Sequence, residues 1–442
     1  MLKMDENFEQ RKKGPGFGTG ILVGVLSTLA AAVILVAVSA GLFINTVKKN
    51  TEESKQTVSQ QNPGGTATEE DGSEASADEM LINGDLLTQI SMIDSYLKQY
   101  FLYDVDKEAL REGMLQGMLW ALDDPYSQYF NKEELASFND TTEGEYVGIG
   151  AAVTQERSNG IVRISKPYEG TPSAEAGLLP GDVIVSVDGT EVTGMDLTQV
   201  VSLIKGEEGT SVMLHIYRES EEDYLDIEVT RRKVELPTVT GKMLEGKVGY
   251  IEVASFDGVT AKQFISTYED LKAKGMKSVV VDMRNNGGGL VDIVEEMLDY
   301  LLPEGTIFYV KDKTGTKSME YVSDADAALD IPMVVLVNGN TASAAEVFSG
   351  NIREFGMGTV VGTTTYGKGV MQRLFYTNSE QTAAVKLTVA DYYIHSDKNV
   401  NGTGIVPDVE VELDEEAAKM VEIPVEKDNQ LQKALEILNG VK

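Results

Sequence analysis

The chain has 442 residues and a formal net charge of -33, and it contains no cysteine and only two histidines. The length allows two to four domains, and so acidic a surface repels phosphate backbones, which argues against nucleic-acid binding. The lack of cysteine excludes thiol catalysis, disulfide bonds and Cys-rich zinc sites, and two histidines give little basis for a His-rich site. We therefore expect neither a metal nor a cofactor.

The N-terminal region predicts a membrane anchor. Residues 20–44 carry no charge, and a helix of this length exceeds the ~30 Å hydrocarbon core of a bilayer. Basic residues at 11–13 precede it, so the positive-inside rule places residues 1–19 in the cytoplasm. A cleaved signal peptide is the alternative, because small residues near its end offer a cleavage position. We expect a single-pass anchor over 20–45 in a bacterial cell membrane, with the folded part extracytoplasmic.

Two further regions precede the middle of the chain. Residues 46–80 are polar and acidic, and they cannot bury enough apolar surface to offset the entropy of ordering, so we expect a disordered linker. Helical periodicity then begins, with Leu86, Ile90 and Leu97 on one face. We expect a small helical region over residues 81–140.

Residues 141–232 change to short β-like runs separated by Gly, Pro and Asp-Gly turns. These runs predict strands at 161–164, 183–187, 212–217 and 225–230. One amphipathic helix interrupts them over residues 196–205, with Asp196 as its N-cap.

This middle region resembles a PDZ domain. The resemblance rests on Gly148-Ile149-Gly150 and on the later run PSAEAGLLPGDVIVSVDG, which begins at Pro172. It implies that Gly148, Ile149 and Gly150 form a loop whose N–H groups accept a terminal carboxylate, and that the helix forms one wall of a peptide groove. The alternative is a β-sandwich whose glycines only make turns.

Residues 233–415 alternate between strands and helices, which predicts an α/β domain with a largely buried sheet. The expected strands are 248–253, 278–283, 333–337, 359–361, 370–375 and 383–393. The expected helices are 260–274, 290–302 and 343–355. Residues 416–442 form a tail, with a terminal helix expected over 427–439.

Ser343 lies in the run NGNTASAAE, after a predicted strand and at the start of a predicted helix. Together with Glu346 it forms the S-x-x-E pattern of a capping box, in which both side chains satisfy N–H groups at the helix start. The same position also suits a nucleophile, because the helix dipole and nearby N–H groups can hold an oxyanion. Both interpretations are open from the residues alone.

Within residues 362–369, the first seven fit the first seven positions of a P-loop, but Gly369 and a β-like run follow where magnesium and phosphate binding need a Ser or Thr and a helix. We therefore reject a P-loop. Lys368 is either an ordinary solvated lysine or one held against backbone, where desolvation lowers its pKa and makes it a base. Residues 282–289, DMRNNGGG, predict either a strand-to-helix turn with an Asp/Arg pair or a second source of exposed N–H groups.

Both histidines lie in weak contexts, so a Ser-His-Asp triad has little support and a serine nucleophile needs another base, for which Ser-Lys pairs are a known variant. With Ser343 in TASAAE and Lys368 in a Gly-Lys-Gly segment, residues 85–415 resemble the C-terminal processing peptidases, also called tail-specific proteases.

This resemblance implies a role for each site residue. Ser343 would be the nucleophile, Lys368 the general base and Gln372 the residue that orients the lysine, with Gln372 and Lys368 facing the same side if both lie on one strand. The N–H groups of Gly288 and Ala344 would form the oxyanion hole.

The glycine loop departs from the family pattern D-L-R-x-N-P-G-G at two positions. Met283 replaces the leucine and Gly287 replaces the proline. The second change loosens the loop but retains the two glycines that follow it.

The implied reaction is hydrolysis of protein substrates near their free C-termini, with the PDZ module capturing the tail and gating the site. A homodimer and a regulatory partner are also expected. One rival is a membrane-tethered PDZ adaptor built on an inactive protease fold. The other is a nucleotide-binding enzyme that uses residues 362–369.

Overall fold

The computed structural model of the chain describes residues 81–156, 159–420 and 422–440. The membrane anchor predicted at 20–45 and the linker predicted at 46–80 lie outside these residues. Within the described ranges, no helix is both long enough and apolar enough to cross a membrane.

The chain divides after Phe101 into two units. The described part of the first unit contains helix α1 (Gly84–Tyr100), which begins where the side chain of Asn83 accepts a hydrogen bond from the N–H of Leu86 at 3.1 Å. Asn is a favoured N-cap because its side chain satisfies one of the free N–H groups at a helix start.

The second unit carries the remaining elements. Its helices are α2 (Lys107–Trp120), α3 (Lys132–Glu143), α4 (Pro172–Glu175), α5 (Leu197–Ile204), α6 (Thr260–Ala273), α7 (Val291–Leu301), α8 (Ala344–Glu354) and α9 (Asn429–Gly440). Its first strands are β1 (Gln128–Phe130), β2 (Glu145–Gly148), β3 (Ala151–Gln155), β4 (Val162–Pro167), β5 (Val183–Val187), β6 (Thr190–Glu191), β7 (Ser211–Arg218), β8 (Asp223–Thr230) and β9 (Arg232–Glu235). The later strands are β10 (Val239–Leu244), β11 (Val248–Val253), β12 (Ser278–Asp282), β13 (Gly305–Asp312), β14 (Lys317–Ser323), β15 (Met333–Val337), β16 (Gly358–Gly362), β17 (Val370–Tyr376), β18 (Ala384–Ile394) and β19 (Val409–Glu410).

The middle module is an antiparallel sheet in the order β3-β4-β5-β7-β8, with β6 paired to β5. Inward-facing residues of β4 and β7 alternate with exposed ones, and they pack with Val200 of α5 in a separate core. The predicted strands and the helix capped by Asp196 are confirmed. Strand β3 was not predicted, and among the described strands it pairs only with β4, so it is an edge.

The second sheet confirms the α/β prediction. Its order is β10-β11-β12-β15-β16-β19, and it is parallel from β11 onward. Every residue of β12 and β15 is buried, because α6, α7 and α8 cover one face and α9 covers the other through Leu431, Ala434 and Leu438. Strands covered on both faces read as continuous apolar runs, which is why the sequence predicted them well.

A third sheet was not predicted. It is antiparallel, in the order β1-β18-β13-β14, with β17 also paired to β18. The predicted strands at 370–375 and 383–393 therefore leave the parallel sheet, and β1, within the region expected to be helical, pairs with β18. Lys368 lies in the connection from β16 of the parallel sheet to β17 of this sheet.

Candidate active site

Ser343 lies at the carboxyl end of the parallel sheet, where ligand sites of open α/β sheets form. It is the N-cap of α8 and has φ 57° and ψ -121°. A positive φ is uncommon for a residue with a Cβ, and such strain persists only where the surroundings impose it. Here the turn before it is fixed by the buried hydroxyl of Thr341, which donates to the carbonyl of Met283 at 2.8 Å.

Gly288 lies directly against the predicted nucleophile. A Cβ built on Gly288 would be 2.7 Å from the Cβ of Ser343, and the residue has φ +97°. Only glycine meets both conditions without displacing its neighbour. The sequence assigned this glycine to a strand-to-helix loop, and the fold places that loop beside the serine.

The two predicted oxyanion donors differ in their surroundings. The N–H of Gly288 donates to Oδ1 of Asn286 at 2.8 Å. Asn286 is fully buried, and its Nδ2 donates to the carbonyl of Val253 at 2.8 Å. Ala344 is the first residue of α8, where an N–H has no acceptor within the helix. Ala344 is therefore the donor positioned by helix geometry, whereas the Gly288 N–H has an acceptor in its own loop.

Lys368 is half-buried, and its pKa is lowered by desolvation and, second, by the positive charge of Lys386. Asp124 and Glu346 act in the opposite direction. Its Nζ lies 4.6 Å from the ring centroid of Tyr126, and no carboxylate of the described residues forms a salt bridge with it. A desolvated lysine without an ion-pair partner is suited to accept a proton.

Glu346 joins the two motifs, a role that the sequence did not reveal. Its buried carboxylate accepts the N–H of Ser343 at 2.8 Å, as the capping box predicts. It also accepts the N–H groups of Gly367 and Lys368, each at 2.8 Å, and the hydroxyl of Thr365 at 2.5 Å. The capping interpretation and the catalytic interpretation are therefore compatible, since one carboxylate caps the helix and holds the lysine loop.

Tyr392 provides a second connection. Its hydroxyl lies within 3.3 Å of the carbonyl oxygen of Ser343 and contacts the carbonyl oxygen of Lys368. Burial raises its pKa well above the ordinary value, and Glu346 adds to this, so it remains a protonated donor. Tyr392 carried no signal in the sequence other than its place in an apolar strand.

The strand position and the hydrogen-bond partners of Gln372 differ from those that the sequence predicts. Lys368 precedes β17, and a bulge separates Met371 from Gln372, so strand alternation does not place Lys368 and Gln372 on the same face. The amide of Gln372 donates to Oγ1 of Thr388 at 3.2 Å and to the carbonyl of Val370 at 3.4 Å. No hydrogen bond in the described part of the chain joins it to Lys368.

One cavity nevertheless brings all five predicted catalytic positions together. It has a volume of about 650 Å³, and its lining includes Ser343, Ala344, Gly288, Lys368 and Gln372. The rest of the wall is largely apolar, and its charged residues are Arg373, Lys386, Asp257 and Asp292. A peptide segment bound in this cavity can therefore pack against apolar side chains and contact Ser343.

The loop over residues 362–369 excludes a P-loop in this fold. Gly362 ends β16, and β17 begins at Val370 without an intervening helix. A P-loop holds phosphate at a helix N-terminus. The nucleotide-binding alternative therefore has no structural basis in this segment.

The middle module contains a second cavity, of about 220 Å³, between edge strand β3 and helix α5. Gly148 and Ile149 line it, as do Val201 and Ile204 of the helix. Gly150 has φ +76°, and its carbonyl accepts the hydroxyl of Ser173 at 2.7 Å, which fixes the predicted carboxylate loop. The groove and the loop therefore adjoin, as the sequence predicts.

Three family models match the chain. They are described as peptidase family S41 over residues 247–411, PDZ domain over residues 163–218, and activating protease CtpB N-terminal domain over residues 35–134. The first range covers strands β11 to β19, and the second runs from β4 to the end of β7 in the middle module.

Curated relatives are similar over much of the chain. The carboxy-terminal processing protease CtpA of Bacillus subtilis (strain 168) is 34% identical over 72% of this chain and 67% of its own length. A Staphylococcus aureus (strain COL) protein named "Probable CtpA-like serine protease" is 34% identical over 74% of this chain and 65% of its own length. A solved photosystem II D1 C-terminal processing protease is 28% identical, with a TM-score of 0.44 over 80% of this chain and 91% of its own.

Proposed function

This chain belongs to the carboxy-terminal processing proteases of peptidase family S41, which are serine-type peptidases with a PDZ domain, and we propose that it hydrolyses protein substrates near their C-termini by a Ser-Lys mechanism. Ser343 attacks the peptide carbonyl while Lys368 takes its proton. The lysine then returns the proton to the leaving amine, and water releases the acyl group from Ser343.

The observation that carries this proposal is the bridge made by Glu346. Hydrogen bonds of 2.8 Å join its carboxylate to the N–H of Ser343 and to the N–H of Lys368. Both residues line one cavity, and burial lowers the pKa of the lysine. A base beside a serine must be neutral to accept its proton, so these features favour the same chemistry.

The remaining roles follow from position in the cavity. The Ala344 N–H at the start of α8 is proposed to hold the oxyanion, with Gly288 as the second donor once its N–H turns from Asn286. Gln372 is proposed to orient the Lys368 amine, for which its side chain has to exchange its hydrogen bond to Thr388.

Tail capture by the PDZ module is the second part of the proposal. The groove beside β3 has a strand edge that pairs with none of the described strands, apolar side chains from α5 and a glycine loop at its end. A C-terminal peptide can add as a strand and place its carboxylate at such a loop. Proteins with free C-termini are therefore the proposed substrates.

Gating of the active site by this module is supported by helix α3. Thr141 near its end contributes to the wall of both cavities. Asp140 forms a salt bridge of 3.0 Å with Lys205 at the end of α5, and the carbonyl of Thr142 accepts the N–H of Gly258 at 2.9 Å. A peptide that moves α5 therefore acts on the rim of the catalytic cavity. Deletion of residues 146–232 tests this, since unaltered cleavage and unaltered tail preference would contradict it.

We also propose where the chain is located and how it assembles. The uncharged segment 20–44 is proposed to anchor the chain in a bacterial cell membrane with the catalytic part outside. A homodimer is proposed through the helical regions, because α2 has no buried residue and Trp120 at its end is 86% exposed. A regulatory partner is proposed to act through the gate.

The alternative function is a catalytically idle PDZ adaptor. The full-length chain in mild detergent is incubated with an unfolded test protein ending in small apolar residues, and products are identified by mass spectrometry. We expect fragments from the wild type, and none from Ser343→Ala or Lys368→Ala. Cleavage that survives either substitution would overturn the Ser-Lys mechanism, and tail binding without cleavage under any condition would favour the adaptor.

A further inference from the structure

A tyrosine from the N-terminal part of the chain lies against the proposed base. The amine nitrogen Nζ of Lys368 is 4.6 Å from the ring centroid of Tyr126. Within the described part of the chain, neither a hydrogen bond nor a salt bridge reaches this amine, since the bonds of Lys368 are made by its backbone. The aromatic face is therefore the contact that meets the charge when the amine is protonated.

The turn that carries Tyr126 is fixed to strand β18. The carboxylate of Asp124 accepts the N–H of Tyr126 at 3.1 Å and the hydroxyl of Ser127 at 2.5 Å. The oxygen of the Ser127 hydroxyl in turn accepts the N–H of Thr388 in β18 at 3.1 Å. The side chain of Thr388 is also the acceptor for the amide of Gln372. The turn and Gln372 are therefore attached to one residue of β18.

The side chain of Tyr126 acts on the amine through its ring and not through a charge. Burial raises the pKa of Tyr126 to about 12, so its hydroxyl stays protonated at physiological pH. A neutral ring attracts a cation to its electron-rich face, and the attraction is larger where the cation is partly desolvated. The Lys368 amine is in such a position.

Four other ionisable side chains face Lys368. Lys386 of β18 repels the protonated amine, whereas Asp124 and Glu346 attract it. Tyr392 contacts the carbonyl oxygen of Lys368 and stays neutral. Neither carboxylate forms a salt bridge with the amine, so the two act on it from a distance and the ring acts in direct contact.

We propose that Tyr126 is a positioning residue whose ring holds the ammonium group that forms when Lys368 takes the proton of Ser343. The inference rests on the proposed Ser-Lys mechanism. By favouring the charged form, the ring offsets part of the desolvation and keeps the lysine a stronger base. Tyr126 lies outside residues 247–411, which match peptidase family S41, so the N-terminal part of the chain contributes to the site.

The test measures, as a function of pH, how fast a fluorophosphonate probe labels Ser343 in the full-length chain in mild detergent. In this reaction the serine oxygen displaces fluoride from phosphorus, so labelling needs an activated serine but no captured tail. Tyr126→Leu keeps an apolar side chain beside the amine and removes the aromatic face. Tyr126→Phe keeps the face and removes only the hydroxyl. Tyr376→Leu removes an exposed ring on β17 that does not line the catalytic cavity, and it is the matched control.

Loss of the aromatic face is expected to lower the pKa of Lys368, so the acidic limb of the labelling rate of Tyr126→Leu moves to lower pH by about 0.4–1.5 pH units. At high pH the labelling rate of this variant is expected to fall by about two- to thirtyfold, because the charge that develops on the amine loses its contact. Tyr126→Phe and Tyr376→Leu should match the wild type in both respects. Structural damage alone would lower the rate by the same factor at every pH.

Tyr126→Trp tests the same contact from the other side and does not depend on the folding of the leucine variant. Tryptophan has the aromatic face that binds cations best. The acidic limb of this variant is therefore expected to move to higher pH than that of the wild type.

Other outcomes separate this inference from the Ser-Lys mechanism. An unshifted limb in Tyr126→Leu would overturn the inference, and so would a limb moved to higher pH, since the ring would then act by keeping water from the amine. If Tyr126→Phe behaved as Tyr126→Leu does, the effect would belong to the hydroxyl and the inference would be wrong. All three results leave the Ser-Lys mechanism intact. If the wild type were not labelled at Ser343, or if labelling survived Lys368→Ala, that mechanism would fail, and the inference with it.

Discussion

The buried carboxylate of Glu346 accepts the backbone N–H of Lys368 at 2.8 Å, although the two residues are 22 positions apart. This bond attaches the lysine loop to the first turn of α8, which Ser343 begins. The spacing of the proposed nucleophile and the proposed base is therefore set by a residue that is neither of them.

The first prediction concerns this carboxylate. Glu346→Gln keeps the side-chain size but leaves one acceptor oxygen for the N–H groups of Ser343, Gly367 and Lys368. A buried donor without a partner costs about 1–3 kcal/mol. We expect that loss in the free energy of unfolding by urea, and a fall in kcat of more than about tenfold because misplaced catalytic groups cost rate steeply.

Glu380→Gln is the control, since this carboxylate is exposed on the β17–β18 turn. It should change neither stability nor kcat. An unchanged kcat in Glu346→Gln would show that the bridge does not position the catalytic pair.

The second prediction concerns the contact between Gly288 and Ser343. Gly288→Ala adds a Cβ that would be 2.7 Å from the serine Cβ, at φ +97°. Gly315→Ala, at φ +79° in the β13–β14 turn, has the same kind of backbone strain with nothing within 4 Å. Both should lose about 1–2 kcal/mol of stability from the strain. Only Gly288→Ala should lose activity, by about a hundredfold or more, and equal kcat losses in the two variants would refute the contact's role.

The third prediction concerns pH. As the proposed base, Lys368 has to be neutral to accept the serine proton, so kcat/KM is expected to rise with pH through the lowered pKa of this lysine. Lys386→Met removes a like charge and raises that pKa, moving the acidic limb of the profile to higher pH. Asp124→Asn removes an opposite charge, lowers the pKa and moves the limb to lower pH. Both variants keep Glu346, which also acts on the pKa of Lys368, and Tyr126, whose ring lies beside the Lys368 amine.

The control for charge is Lys419→Met, at an exposed position after β19. The acidic limb of the kcat/KM profile of this variant should coincide with that of the wild type. Shifts of Lys386→Met and Asp124→Asn in the same direction would mean that Lys368 is not the group whose titration limits the rate.

The fourth prediction concerns the Asp/Arg pair of the glycine loop. Arg284 lies between Asp282, at hydrogen-bond distances of 2.5–3.0 Å, and Asp428, at 2.8 Å, both buried. Arg284→Met leaves two buried carboxylates unpaired, which is expected to cost about 3–5 kcal/mol. Arg232→Met breaks an exposed pair with Glu175 and should cost at most about 1 kcal/mol. Thermal unfolding compares them, and equal losses would contradict a structural role for Arg284.

The sequence predicted most of the elements around the site. Strand β15 is entirely apolar, β12 has three consecutive valines and α8 has a clear cap, so local pattern and final structure agree. The hairpin β13–β14 was missed because its apolar residues pack against partners that arrive later in the chain, from β18. Strand β3 was missed for a similar reason, since a single neighbour and a groove leave it little buried surface.

The family and the proposed reacting groups can be read from the sequence, because Ser343 and Lys368 stand in short motifs whose residues are neighbours along the chain. What holds those two residues in place depends on the fold. The contact of Gly288 with Ser343 depends on shape, and the contact of the Glu346 carboxylate with the N–H of Lys368 is a hydrogen bond. A helix cap and a glycine turn have the same local pattern whether or not the fold brings a functional loop beside them.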